Sequence, residues 1–342
     1  MTSNAPVSAR PSASAGLSLP VYNDILEARN RIAGQAVVTP LVSIPILDEI
    51  TGGQVFLKAE SLQRTGSFKF RGAYNRLVQI PEQERTNGVV ACSSGNHAQG
   101  VAEAARLLGM AATIVMPEDA PVTKRKRTER SGAKVVTYDR TTEDRDAIAL
   151  EICARTGATF VHPFNDPAVI AGQGTCGLEI CETLLEKGLS ADVFLACCGG
   201  GGLTAGTTLA VKHHFPDCVC YAVEPRDFDD YTRSLISGHR ETNDKAARSI
   251  CDALLTESPG ERSFAINRTT LNGGLTISDE EALRAVAFAF REAKLVVEPG
   301  GAVTLAALLA KKIDVSGKVV AATISGGNID AEMMARALDT HP

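Results

Sequence analysis

The sequence predicts an α/β protein with two open, mostly parallel sheets and helices on both faces. Three observations point there. Short β-rich runs alternate with helical patterns along the chain. Most of the runs are apolar throughout, as strands buried on both faces require. The alternation comes in two series, so two α/β units with a site between them are expected. In such sheets ligands bind at the carboxyl ends of strands, so function is sought in the segment after each strand.

The elements follow in order. MTSNAPVSARPSASAGLSLP, residues 1–20, is rich in Ser, Ala and Pro and lacks an apolar h-region. It reads as a disordered tail rather than a targeting peptide. GVVACSS (88–94) reads as a buried strand, and HAQGVAEAARLLG (97–109) as a helix closed by Gly109. AATIVMP (111–117), AKVVTYD (133–139) and ATFVHPF (158–164) continue the strand series. The second series runs DVFLACC (192–198), a glycine loop, the helical LTAGTTLAVKHH (203–214) and the strand CVCYAVEP (218–225). Ser278 and Glu281 make a capping-box start, and Leu283, Val286, Ala287 and Phe290 recur on one helical face. KVVAATIS (318–325) is the last strand. The expected division is a large domain of 21–84 and 166–342 with a small domain of 85–165.

Bulk properties bound the function. The 342 residues are 44% hydrophobic and 22% charged, an ordinary globular composition. The net charge of −5 argues against nucleic acid or an anionic membrane as main partner. No apolar run approaches the roughly 18 residues a membrane span needs. The nine cysteines form no CxxC pair, and several lie in strand-like runs. They read as buried free thiols of a reducing cytoplasm, not as a zinc site. The basic run TKRKRTER (123–130) reads as a solvated helix face rather than a nucleic-acid or nuclear-localisation element.

Three strand-end junctions are unusual. In SSGNHAQG (93–100), Ser93, Ser94 and Asn96 either cap a helix or, with its free N–H groups, hold a carboxylate or phosphate. In CGGGGLTAG (198–206), four consecutive glycines carry a high entropic cost, which makes sense if bare backbone approaches a phosphate or, alternatively, if the loop is a close-packing turn. The loop has neither the Lys-Ser/Thr of a nucleotide P-loop nor GxGxxG, so a small phosphorylated ligand fits better. SGGNID (325–330) is either a third such turn or an ordinary strand end. Lys69 in SFKFRGAYN follows a Thr-Gly turn and is either a surface lysine or an imine-forming one. A lysine, a phosphate cradle and an amino-acid-sized anion site together suit pyridoxal phosphate (PLP).

SFKFRGA, SSGNHAQG, HPFNDPAVIAGQGT, GGGGL, AVEP, VVEPGGA and SGGNID occur in this order over about residues 20–335. Together they resemble the PLP-dependent serine/threonine dehydratase and serine racemase family, with its tryptophan-synthase-β-like fold. The resemblance implies that Lys69 carries the cofactor as an imine, with Phe68 against its ring and Asn96 bonded to its 3′-oxygen. Gly199, Gly200, Gly201, Gly202 and Leu203 would hold the phosphate, and Ser325 would face the pyridine nitrogen. A neutral hydroxyl there makes the ring a weaker electron sink, which favours loss of a β-leaving group over transamination. The substrate carboxylate would sit on Ser93, Ser94, Asn96 and His97. Lys69 would take the Cα proton, the β-hydroxyl would leave with a proton from the phosphate, and hydrolysis would give a 2-oxo acid and ammonia. Serine would give pyruvate and threonine 2-oxobutanoate.

Further implications follow from the same resemblance. Ser94 matches the second acid/base of the family's racemases and occurs in its dehydratases too. Glu224, Phe228 (through its carbonyl) and Asp230 match a divalent-cation site, with oxygen ligands suited to Mg²⁺ or Ca²⁺. The usual Ala-Asp-Gly segment is replaced by SICDALLTESPGERSF, with Ala253 at the glycine's place. The C-terminal regulatory domain of biosynthetic threonine dehydratases, and with it isoleucine feedback, is not expected. The expected protein is a cytoplasmic homodimer acting as an L-serine/L-threonine ammonia-lyase. The alternatives are an amino-acid racemase, a 3-hydroxyaspartate dehydratase, a β-replacement enzyme or a PLP-binding protein without turnover.

Overall fold

The computed structural model describes residues 17–120, 122–139 and 141–340. Residues 1–16, most of the expected tail, lie outside the described residues, whereas Leu19 packs beside Ile170, Ala205 and Ile266. Ten strands occur in chain order: β1 Leu41–Ser43, β2 Gln54–Ala59, β3 Val89–Cys92, β4 Ala112–Pro117, β5 Lys134–Tyr138, β6 Thr159–Phe160, β7 Val193–Cys197, β8 Val219–Pro225, β9 Gly273–Ile277 and β10 Val319–Ile324. They form a six-stranded sheet, β1-β2-β10-β7-β8-β9, and a four-stranded sheet, β5-β4-β3-β6. All pairings are parallel except β1 with β2. Strands β1, β2 and β9 are not among the strands expected from the sequence.

Both sheets are covered on both faces. One face of the large sheet packs under helices Asp279–Phe288, Val303–Leu309 and Ala331–Thr340. Its other face packs against Pro167–Glu186 and Gly202–His214. The small sheet lies between Lys69–Val78 with Asn96–Leu107 on one side and Arg145–Thr156 on the other. The Ser278–Glu281 capping box forms, and Leu283, Val286 and Ala287 are buried. Phe290 departs from that face and is 43% exposed. The α-helix ends at Phe288 and continues as a π-turn over Ala289–Ala293, whose wider turn carries Phe290 away from the buried stripe. All nine cysteines are free, and eight of them are buried.

A buried ionic cluster sits just behind the start of Lys69–Val78. The Arg71 guanidinium is fully buried. Its Nε and Nη2 donate to Glu60, and its Nη1 and Nη2 donate to Glu179 at 2.6 and 2.8 Å. Nη1 also reaches Thr175, and Nη2 the carbonyl of Val37. Lys58 closes the set on Glu179 Oε2 and the Thr39 carbonyl. Two cations and two carboxylates leave no net charge, and Arg71 holds the Glu60 carboxyl below its usual range despite burial. Such clusters add little net stability, because desolvation offsets attraction, but breaking one strands a buried charge. Beside it, a Cβ on Gly172 would lie 2.6 Å from the Cα of Gly72, so the two helices cross backbone to backbone. Arg71→Met is therefore expected to cost about 3–5 kcal/mol of unfolding free energy in urea titrations, by leaving Glu60 uncompensated. A loss under about 1 kcal/mol would show that the cluster is not closed as described.

Candidate active site

A cavity of about 400 Å³ opens where the carboxyl ends of the two sheets meet. It is within the size range of small-molecule sites, roughly 300–1,000 Å³. Phe68, Lys69, Ser93, Ser94, Asn96, His97, Gly199, Gly200, Gly201, Gly202, Leu203 and Ser325 all line it. These residues come from four separate strand ends, and the fold brings them together.

Lys69 owes its place to strand β10. Ser67 bridges Gly326, and the Phe68 N–H donates to the Ser325 carbonyl at 3.1 Å. The chain then turns into the helix whose first residue is Lys69. The lysine Nζ donates to the Pro163 carbonyl at 2.9 Å and sits 5.1 Å from the Phe68 ring centroid. Burial pushes this amine down to about 8, because the charged form loses hydration.

The two histidines beside it are neutral. His97 donates from Nε2 to the Val161 carbonyl at 2.9 Å, and burial pushes it down to about 3. Its Nδ1 is then a bare acceptor with no partner. His162 accepts the N–H groups of Phe164 and Asn165 at Nδ1, and burial pushes it down to about 4.

The Ser93–Asn96 junction is not closed by a side-chain cap. The helix Asn96–Leu107 starts from Gly95 with no side chain bonded to its first turn. Ser93 Oγ instead accepts from the Gly95 N–H at 3.1 Å. The Asn96 amide donates to Glu298 at 2.5 Å and accepts from Asn328 at 2.7 Å. Glu298 and Asn328 were not singled out in the sequence, although both lie inside quoted motifs, VVEPGGA and SGGNID.

The glycine loop has a cause beyond any ligand. A Cβ on Gly200 or Gly202 would strike Phe164, and one on Gly201 would strike the Tyr231 hydroxyl. Gly201 also has φ +86°, the left-handed region. Packing and bare backbone toward the cavity thus demand glycine together. Asp252, Ala253, Leu254, Leu255 and Thr256 line the cavity as well, so the departed Ala-Asp-Gly segment does border the site. Arg145 also lines it, from the start of the helix Arg145–Thr156, and no motif pointed to it.

The expected cation ligands lie outside the cavity lining. Glu224 accepts the N–H of Tyr231, the N–H of Thr232 and the Thr232 hydroxyl. Asp230 accepts from Asn243 through Oδ1, while its buried Oδ2 has no partner. Burial, with Asp230 nearby, pushes Glu224 up to about 8, and burial pushes Asp230 up to about 7. Among the described residues no three His, Cys, Asp or Glu side chains are placed to hold a metal.

The family described as pyridoxal-phosphate dependent enzymes matches residues 32–326. The chain belongs to this family. PLP is accordingly the cofactor. Relatives narrow the comparison. The L-threo-3-hydroxyaspartate ammonia-lyase of Pseudomonas sp. is 45% identical over 322 residues, 94% of this chain and 99% of its own. The L-threonine ammonia-lyase of Thermotoga maritima is 42% identical over 316 residues, 92% of this chain and 77% of its own. Maize serine racemase superposes with a TM-score of 0.88 at 31% identity, over 94% of this chain and 98% of that one. No helix among the described residues is long and apolar enough to cross a membrane.

The lowered Lys69 basicity has a direct consequence. Only a neutral amine attacks an aldehyde, so attack by Lys69 on an added aldehyde is expected to accelerate as pH rises and to level off near pH 8. An ordinary lysine would keep gaining to about 10.4. Stopped-flow absorbance across pH 6–11 reads this midpoint, and a midpoint above about 10 would contradict the buried amine.

Proposed function

We propose that this PLP enzyme is an ammonia-lyase for L-hydroxyamino acids, converting serine and threonine to a 2-oxo acid and ammonia, with the water lost in β-elimination taken up again on hydrolysis. The supporting observation is a half-buried lysine of lowered basicity, Nζ on one carbonyl, in a cavity framed by a glycine loop and an uncapped helix start. Bound PLP supplies an aldehyde for the substrate amine and a ring that draws electrons from Cα. The protein residues do the rest. Ser93, Ser94, Asn96 and His97 hold the carboxylate at the helix start, where N–H groups converge. Lys69, neutral in part at physiological pH, takes the Cα proton. The glycines and Leu203 hold the phosphate, and Phe68 lies against the ring. Ser325, a hydroxyl rather than an acid, would leave the bound ring a modest electron sink, which would favour β-elimination over transamination. Ser94 provides a second hydroxyl for proton exchange at Cα, the source of any racemase side activity.

Arg145 favours one substrate among these. Besides Lys69 it is the only Lys or Arg lining the cavity among the described residues. A second carboxylate on the substrate, as in L-threo-3-hydroxyaspartate, would find its counter-charge there. The Pseudomonas relative carries that substrate in its name.

The acidic pair fits a cation. Two buried carboxylates side by side, one with an orphaned oxygen, are costly unless protonated or bridged by positive charge. Glu224 and Asp230 would hold Mg²⁺ or Ca²⁺ with the Phe228 carbonyl, and the ion would supply charge compensation rather than chemistry. We also propose the homodimer as the working form, to be read as twice the chain mass by light scattering.

The test is 2-oxo acid release from L-serine, L-threonine and L-threo-3-hydroxyaspartate by PLP-loaded protein, with Lys69→Ala as control and enantiomers followed in parallel. Turnover is expected to vanish in the control. Arg145→Gln is expected to lower kcat/KM for hydroxyaspartate by about 10–100-fold, the loss of one charged hydrogen bond, with serine changed less than about threefold. Equal loss on all three substrates would remove Arg145 from specificity. No oxo acid from any of them would overturn the lyase reading. Divalent ions are expected to raise the melting temperature of the native chain and not of Glu224→Gln. An identical rise in both would dismiss the cation site.

A further inference from the structure

Behind the glycine loop lies a buried polar chain of side chains and carbonyls. Ser263 Oγ is 2.6 Å from the Gly200 carbonyl. The Gly260 carbonyl lies farther off at 3.1 Å; carbonyls only accept, so the serine hydrogen goes to these two, chiefly to the nearer Gly200. Ser263 Oγ must then accept from the Tyr231 hydroxyl, 3.0 Å away. The Tyr231 oxygen in turn accepts from the Asn267 amide at 3.1 Å, whose Nδ2 also reaches the Gly201 carbonyl at 3.1 Å. Tyr231, Ser263 and Asn267 are all fully buried. The tyrosine is seated by its own N–H on Glu224 at 2.9 Å and by Phe264, edge to face at 6.1 Å.

In a planar trans peptide the C=O of one residue and the N–H of the next point in opposite directions. Holding the Gly200 and Gly201 carbonyls back into the protein therefore turns the Gly201 and Gly202 N–H groups toward the cavity those glycines line. The Gly260 N–H also donates to the Gly200 carbonyl at 3.1 Å and the Ala205 N–H to the Gly201 carbonyl at 2.8 Å, and the side chains narrow further the orientations that four glycines in a row can sample. We propose that Tyr231, with Ser263 and Asn267, is a positioning group that aims the loop's N–H donors, and so sets the chain's preference for a phosphorylated cofactor over the unphosphorylated one. The inference rests on the reading that the loop holds the cofactor phosphate. Tyr231 touches neither cofactor nor substrate, since it acts only through the peptides of Gly200 and Gly201.

The experiment titrates the full-length PLP-free protein with PLP and, separately, with pyridoxal, following imine absorbance. Tyr231→Phe removes the central hydroxyl and keeps the ring, and Ser263→Ala breaks the chain at the carbonyl. Each is expected to weaken PLP binding by about tenfold and to leave pyridoxal within about twofold. General loosening of the fold would weaken both ligands alike. An equal loss for both ligands, or no loss for either, overturns the proposal. Should Tyr231→Phe fail to fold, Ser263→Ala carries the same readout. A native chain that binds PLP and pyridoxal equally well would instead refute the phosphate reading, and this inference falls with it.

Discussion

The close crossing of Lys69–Val78 over Pro167–Glu186, clamped by Arg71, is the constraint on which the site depends. A Cβ at Gly172 has no room, so the helices meet backbone to backbone. Arg71, two residues past the lysine, binds Glu60 at the end of β2 and Glu179 and Thr175 on the long helix at once. Guanidinium geometry permits these contacts in few orientations, so the cluster specifies where the first turn of the lysine helix lies. Burial of leucine, isoleucine and valine, about 1.5–3 kcal/mol each, supplies the stability. The ion cluster supplies position, because its own attraction is nearly cancelled by desolvation.

Position matters because the site is assembled from pieces that are remote in the chain. Lys69 rests on Pro163, Phe68 on Ser325, Asn96 between Glu298 and Asn328. The Asn96 contacts tie the helix flanking the small sheet to segments that border the large sheet, so the cavity wall and the junction between the sheets share the same hydrogen bonds. The electrostatics follow from the same burial. One amine of lowered basicity lies between two neutral imidazoles, so a proton can come and go at Lys69 without a competing base of similar strength.

A similar economy holds behind the glycine loop. Phe164 and Tyr231 fill the space that side chains at 200–202 would need, and a directed hydrogen-bond chain holds the carbonyls away from the cavity. The loop is rigid for reasons outside itself. Its neighbour Glu224 accepts the Tyr231 N–H, so the acidic pair and the loop share one residue.

The sequence by itself determined the class of fold, the strands with unbroken apolar runs and the motifs that line the cavity, because period, apolar content and glycine runs are local properties. It named the lysine, the serine–asparagine turn and the glycine loop as residues of one site. It did not show β1 or β9, which are short or half-buried and carry weak signals, nor the π-turn that turns Phe290 outward. It set a phosphate ligand against a close-packing turn as alternatives for the glycines, whereas Phe164, 36 positions before Gly200, makes close packing a demand in its own right. Arg145, Glu298, Asn328 and the Tyr231–Ser263–Asn267 chain became visible only in three dimensions. Each acts through a partner dozens to hundreds of residues away, or through a cavity bounded by several strand ends, and no spacing along one chain encodes such a meeting.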